Sequence, residues 1–346
     1  PSGLDKDAWI IFDYEKVAID NFPSSQFFGT TYVSVNGMRL SGDPLDSKNW
    51  GTGLITIKPN GEVTEKIASH IGLYQPPDSL LVGKEGILYA GRNMGNWAHV
   101  IFKSLDGGET FLEYELPKSE SYFEHGCEGR LSTLSNRSWS IHLGVDLVQD
   151  SKTGRLYAAW VKFKECREDP SFEYGFYSYD NDLFISYSDD QGQTWSNPIK
   201  VNDDNSGGDQ GFPSIKVADE GVVYVAFLDH RDNQDLAQFD VYLAYSTDGG
   251  ETFSRNVKVN DIRVQNEFGG RDPGDYLDML TVGKDKFYVA YPCEKLIDDF
   301  PQQPSDACVT IIDKSLLLPK KTVRILSSSV DTNSCDGKIT ITCTLD

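Results

Sequence analysis

The chain has 346 residues, 39% of them hydrophobic, with 18 Phe, 17 Tyr and 6 Trp, which is enough apolar mass to build a core and excludes a disordered polymer. Its 53 acidic residues against 32 basic ones give a formal charge of −21, a field that repels nucleic acid and anionic membrane surfaces and argues against both as partners. No apolar run is long enough for a membrane-spanning helix, and Pro1 is not followed by a charged-then-apolar leader, so any targeting peptide is expected to have been removed or to lie outside this sequence.

Taken in order, the predicted elements repeat. An apolar strand at 8–12 leads to a second at 29–35, 79–83 leads to 87–91, 143–148 to 155–160, 213–217 to 222–227, and 276–282 to 286–291. The second strand of each pair carries a Tyr-Val-Ala run or a variant of it, as in Tyr224-Val225-Ala226 and Tyr288-Val289-Ala290. With Trp9, Leu80, Leu143, Ser214 and Leu277 as anchors, the unit recurs roughly every 63–71 residues.

Within the units a turn also recurs. Residues 104–111 read Ser-Leu-Asp-Gly-Gly-Glu-Thr-Phe, 188–195 read Ser-Asp-Asp-Gln-Gly-Gln-Thr-Trp, and 246–253 read Ser-Thr-Asp-Gly-Gly-Glu-Thr-Phe. In the shared pattern Asp106, Asp190 and Asp248 can accept backbone N–H groups, Gly108, Gly192 and Gly250 supply a positive φ, and the final aromatic plugs the turn onto a core. The turn therefore predicts a hairpin tip between a third and a fourth strand. Pro59-Asn60-Gly61 makes a plainer hairpin in the first unit, and Asp313-Lys314 stands in the same place in the fifth.

Four antiparallel strands per repeat predict an all-β fold, a β-propeller of five four-stranded blades, with six as the alternative. Residues 1–326 form this single domain. Residues 327–346 are a tail whose alternating stretch Lys338-Ile339-Thr340-Ile341-Thr342 closes the ring or docks outside it. Two aromatic-rich insertions, 118–138 and 164–181, break the rhythm and are expected to be ordered loops or lids.

The six cysteines show no Cys-x-x-Cys spacing, which weighs against zinc and for disulfides in a secreted or cell-surface protein. Closeness pairs Cys335 with Cys343 and Cys293 with Cys308, leaving Cys127 with Cys166, although other pairings remain open. Calcium is the cofactor suggested by two oxygen-rich loops, one with Asp203 and Asp209, the other with Asp229 and Asp232; neither follows the EF-hand register, and either also reads as a solvated acidic turn.

The recurring turns resemble the Asp boxes of the bacterial neuraminidase repeat family, the sialidase-like propellers, over roughly residues 8–325. The resemblance implies a propeller, usually secreted, with the boxes at the blade periphery, and it does not by itself imply sialidase activity. True sialidases use an arginine triad, a tyrosine nucleophile paired with a glutamate, and an aspartate acid/base, and their first arginine lies near the first inner strand. That strand here reads Asp7-Ala8-Trp9-Ile10-Ile11 and holds no arginine.

Propeller ligands bind where inner strands begin and second strands end. Arg92, Arg231 and Arg271 come to that face from three different units, as a clamp on a carboxylate or other anion requires; the bland alternative is that each pairs with a neighbouring carboxylate. Asp78, His142 and Trp160 join them as binding candidates, and Asp275, Tyr276, Asp229 and Glu294 are the candidates for acid/base or nucleophilic work. The expected ligand is a carbohydrate or other small anion, bound and in the active case hydrolysed by glycosidase chemistry. The rival is a non-catalytic module that contacts another protein through the two insertions.

Overall fold

The computed structural model describes residues 9–39, 50–67, 77–93, 99–117, 134–135, 139–140, 144–168, 176–232, 238–260, 264–265, 277–282, 286–293 and 306–317. They form five blades. Blade 1 is β1 (Trp9–Ile19), β2 (Thr31–Arg39), β3 (Trp50–Ile57) and β4 (Val63–Ile67); blade 2 is β5 (Ser79–Val82), β6 (Leu88–Asn93), β7 (His99–Ser104) and β8 (Leu112–Glu115). A short hairpin, β9 (Leu134–Ser135) with β10 (Trp139–Ser140), precedes blade 3, which is β11 (Asp146–Gln149), β12 (Leu156–Glu168), β13 (Phe176–Ser188) and β14 (Ile199–Lys200). Blade 4 is β15 (Gln210–Val217), β16 (Val223–Asp229), β17 (Gln238–Ser246) and β18 (Val257–Lys258), with β19 (Val264–Gln265) also pairing with β17. Blade 5 shows β20 (Asp278–Val282), β21 (Lys286–Cys293) and β22 (Asp306–Asp313). Every ladder is antiparallel, and no helix among the described residues is long and apolar enough to cross a membrane.

The Tyr-Val-Ala signature acquires a structural meaning from the ladders. Tyr32, Tyr89, Tyr157, Tyr224 and Tyr288 stand opposite Ala18, Leu81, Val148, Lys216 and Leu280, the same rung in each blade. Because side chains alternate along a strand, one face of each blade turns to the preceding blade and the other to the next. One core joins blades 1 and 2 through Ala18, Leu54, Leu88 and Phe102, and another joins blades 2 and 3 through Tyr89, Ile101, Leu156 and Ala158. A larger one runs through blades 3, 4 and 5 by way of Leu183, Val225, Leu243, Met279 and Phe287.

The three predicted turns close as expected. At the third, Ser246 Oγ donates to Asp248 Oδ1 at 2.7 Å, while the carboxylate also accepts Glu251 N, Thr252 N and Thr252 Oγ1. The Gly250 N–H donates to Ser246 Oγ at 2.8 Å, and Gly250 sits at φ 90°, where a Cβ would press on the Tyr157 ring. The same contacts recur around Asp106 and Asp190. Burial is the largest single influence and pushes both carboxyls up, but the hydrogen bonds together outweigh it and hold Asp190 and Asp248 down at about 2.

A second repeated device sits at the outer edge. Asn202 accepts Leu183 N and donates to Asp182, which also takes Lys200 at 2.6 Å; Asn260 does the same with Val241 N and Asp240, which takes Lys258 at 2.7 Å. The Lys-Val-Asn runs after the second and third turns thus pin each fourth strand to the third.

The insertion expected at 164–181 is largely strand. β12 and β13 pair without a break in direction from Leu156 opposite Ser188 to Glu168 opposite Phe176, so the blade-3 hairpin continues outward where a loop was expected. Its aromatic-rich stretch has the alternating, β-prone composition of a ladder. Most of 118–138 and the whole tail at 327–346 lie outside the described residues, as do Cys127, Cys335 and Cys343. Cys308 is disulfide-bonded. It stands opposite Tyr291 on the ladder, while Cys293 stands opposite Asp306, a diagonal position on the neighbouring strand.

Candidate functional site

The inner strands β1, β5, β11, β15 and β20 surround a central cavity of about 410 Å³. One rung of the five ladders places Lys16, Ser79, Asp146, Ser214 and Asp278 at equivalent positions around it. Two residues further on, the row reads Ala18, Leu81, Val148, Lys216 and Leu280, so Lys216 is the one charge in an otherwise apolar row. Asp78, just before β5, completes the polar lining.

These groups converge from different blades. Lys216 Nζ lies 3.0 Å from Asp278 Oδ1, and the same oxygen accepts Ser214 Oγ at 3.2 Å and Met279 N at 2.7 Å. On the other side Asp146 Oδ2 accepts Ile215 N at 2.9 Å and Asp146 Oδ1 accepts Leu147 N at 2.9 Å. Asp78 Oδ2 accepts Asn93 N at 2.6 Å and Val145 N at 3.2 Å, with the Arg92 guanidinium 3.6 Å from its other oxygen. A polar side chain on one inner strand thus bonds a backbone N–H on the next, from Asp78 to blade 3, Asp146 to blade 4 and Ser214 to blade 5.

Burial pushes the Asp146 carboxyl up, against the pull of Lys216 and of the two N–H donors. Burial works against the Lys216 ammonium too, but Asp146 and Asp278 outweigh it and raise its pKa. The cavity therefore offers a carboxyl group that protonates more readily than usual, an ammonium held charged, and further carboxylates that can accept from hydroxyls.

The residues expected at the mouth divide. Asp78 lines the cavity. Arg92 is engaged beside it by Asp78. Arg231 is not part of an anion clamp: its Nε and Nη2 meet Asp229 Oδ2 at 2.9 and 2.7 Å, Nη1 meets Asp203 at 2.7 Å, and Nη2 meets Asn256 at 2.8 Å. The guanidinium also stacks on the Tyr242 ring, 4.2 Å from its centroid. It braces blade 3 to blade 4, because the Asp203 N–H also donates to the Asn256 side-chain oxygen and the Asn256 N–H donates to the Asp203 carboxylate. Asp229, read as an acid/base candidate, is fully buried under that guanidinium.

Trp160 is a core residue, 1% exposed and packed near His99 and Phe184, so it offers no ring to a ligand. Arg271, His142, Asp275, Tyr276 and Glu294 lie outside the described residues. The carboxylates read as calcium ligands have protein partners where they are described. Asp203 and Asp229 are neutralised by Arg231, Asp209 accepts Asn181 N, and Asp232 takes the Tyr242 hydroxyl. No group of three metal-ligating side chains occurs among the described residues.

Sequence reasoning passed over Asp146, Ser214, Lys216 and Asp278 because it searched residues flanking the inner strands and not those inside them. A lone charge within an apolar strand, in three successive units, was the available signal.

No family model matches the chain, and no curated protein matches it. Among solved structures it is similar to a protein of unknown function from Dyadobacter fermentans, at 15% identity over 90% of this chain and 82% of that one, with a TM-score of 0.52. It is also similar to a mutant Trypanosoma rangeli sialidase displaying trans-sialidase activity (11% identity, 86% of this chain, 44% of that one, TM-score 0.46). A further likeness is to a Penicillium chrysogenum α-L-arabinanase complexed with arabinobiose (12% identity, 87% and 93% covered, TM-score 0.43). At such identities the likeness is one of fold alone.

Proposed function

We propose that this protein binds a glycan in the central cavity, and that the glycan is neutral. The observation that carries the reading is the convergence of Lys16, Asp78, Asp146, Ser214, Lys216 and Asp278, from all five blades, on one cavity of about 410 Å³. Fixed carboxylates and a hydroxyl on a rigid ring suit the hydroxyl groups of a sugar, and the volume lies within the range of small-molecule sites. A neutral ligand follows from the charge pairing. Of the cations at the cavity, Lys216 is engaged by Asp278 and faces Asp146, Arg92 beside it is engaged by Asp78, and Lys16 is not free either, so an incoming anion meets cations that already have partners and three carboxylates alongside them.

Hydrolysis is the natural extension, since glycosidic cleavage uses two carboxyl groups, one of them with a raised pKa. Asp146 has that property, and Asp278 supplies a second carboxyl group on the same cavity. The disulfide at Cys308 supports placing the protein outside the reducing cytoplasm, at the cell surface or beyond it. One observation favours contact with another protein as well: the blade-3 hairpin continues to Glu168 and Phe176, well past the ends of the other blades' second strands.

Calorimetry against neutral, amino and acidic oligosaccharides tests the reading, with a reducing-sugar assay on the same samples. Binding of a neutral sugar is expected, weakened at least about tenfold by Asp278→Asn (~1.4 kcal/mol) and unchanged by Asp248→Asn in the distant turn. Absence of binding across the panel overturns the glycan reading, and binding of acidic sugars alone overturns neutrality.

A further inference from the structure

The central cavity is deep as well as enclosed. Gly144 to Val148, five consecutive residues, all line it, and at the 3.3 Å rise of a strand they span about 13 Å along the propeller axis. Drawn out over that depth, about 410 Å³ leaves a mean section of about 30 Å². That is a shaft, with room for one sugar chain and not for two abreast. Its walls come from all five blades, with Lys16 and Val17 supplied by blade 1 and Leu277 and Asp278 by blade 5. A polymer lying across the shaft needs two side exits, yet apolar clusters pack shut the seams between blades 1 and 2, 2 and 3, 3 and 4, and 4 and 5. A chain therefore enters along the axis, end first.

The polar groups are sorted by depth in the same sense. Asp146, Ser214 and Asp278 share one rung, and the row two residues deeper holds Leu81, Val148 and Lys216. Lys216 reaches back to that rung, 3.0 Å from Asp278 and facing Asp146, so an ammonium and two carboxylates meet at one level. An internal sugar unit carries an ether oxygen where the next unit is attached, and an ether only accepts hydrogen bonds. The last unit carries a hydroxyl there, which donates as well as accepts. Carboxylates only accept and an ammonium only donates, so a hydroxyl answers both kinds of group and an ether answers one.

Resting on the glycan reading above, we propose that the cavity recognises the free, unbranched end of a neutral glycan chain, seated end-on with its terminal hydroxyl among Lys216, Asp146 and Asp278. The terminal unit decides the affinity, and units outside the shaft add little to it.

The test is calorimetry with linear malto-, cello-, xylo- and arabino-oligosaccharides of increasing length. Each is compared with two blocked forms, one methylated on the hydroxyl that would carry the next unit and one converted to its methyl glycoside at the opposite end. For a compound that binds, one block is expected to weaken binding at least about a hundredfold and the other to leave it within about threefold, because a site built around a hydroxyl rejects the analogue that lacks it. Lengthening the chain past the trisaccharide should change little, and Asp278→Asn should abolish the block-sensitive binding. Tolerance of both blocks, affinity that climbs steadily with chain length, or block-sensitive binding that survives Asp278→Asn overturns the end-on proposal while leaving the glycan reading in place. No binding by any of the compounds removes the glycan reading and this proposal with it.

Discussion

Replacing Arg231 by Met separates a structural brace from a ligand clamp. The Asp229 side chain is 0% exposed and the Arg231 side chain 13%, so removing the guanidinium strands a buried carboxylate and costs about 3–5 kcal/mol. The Asp203 partner is 40% exposed and adds little to that. Protonation offers a partial escape. Burial lifts the Asp229 carboxyl to about 6 even with the hydrogen bonds and charge of Arg231 pulling it down, and without them it rises further. A folded-state pKa above the unfolded value means that this group's contribution to stability is full below the unfolded pKa, near 3.9, and is lost as pH rises through about 6. The variant should therefore lie well below wild type in urea unfolding at pH 8 and recover much of the gap at pH 5. An unchanged midpoint at pH 8, or a gap that widens toward pH 5, refutes the reasoning.

Asp248→Ala removes the acceptor of four short contacts in an exposed turn, and about 1–2 kcal/mol of stability should go with it, measured by denaturant titration at pH 7. Because the Asp248 carboxyl is held at about 2, below its unfolded value, its contribution is present above the unfolded pKa and fades as pH falls toward 2, so wild type and variant should converge in acid. Cys308 should be found joined to Cys293 in non-reducing peptide maps, as their diagonal positions on neighbouring strands allow; a peptide linking Cys308 to any other cysteine rejects that pairing.

What could be read from the sequence was what repeats locally. The turn around Asp248 is built from hydrogen bonds within residues 246–252, so seven letters contain it. The tyrosine row could be read because the same rung recurs in all five blades. The site could not, because Lys216 meets Asp278 and Asp146 only after three blades have been set around an axis, and nothing local distinguishes a charge facing a cavity from one facing solvent. For Arg231 the structure shows the alternative, pairing with a neighbouring carboxylate. Its partner Asp229 was two residues away, and that local pair prevailed over a long-range clamp. The 164–181 stretch misled because its charges masked an alternation that continues the hairpin.

The Lys216 cluster also allows stability and function to be separated. An ammonium in an otherwise apolar row is a poor way to hold blades together, since a buried ion pair is often no better than a neutral replacement. Lys216→Met alone should cost about 1–3 kcal/mol, less than a fully buried pair because Asp278 is 73% exposed, while leaving Asp146 facing a carboxylate without the intervening charge. The triple variant Lys216→Met, Asp146→Asn, Asp278→Asn keeps acceptors for Ile215 N and Met279 N and removes all three charges. Its stability should return to within about 1–2 kcal/mol of wild type while glycan binding stays lost. Recovery of stability without binding identifies the charges as retained for the ligand. A triple variant less stable than Lys216→Met, or one that still binds, makes the cluster a structural staple and moves the search for the site elsewhere.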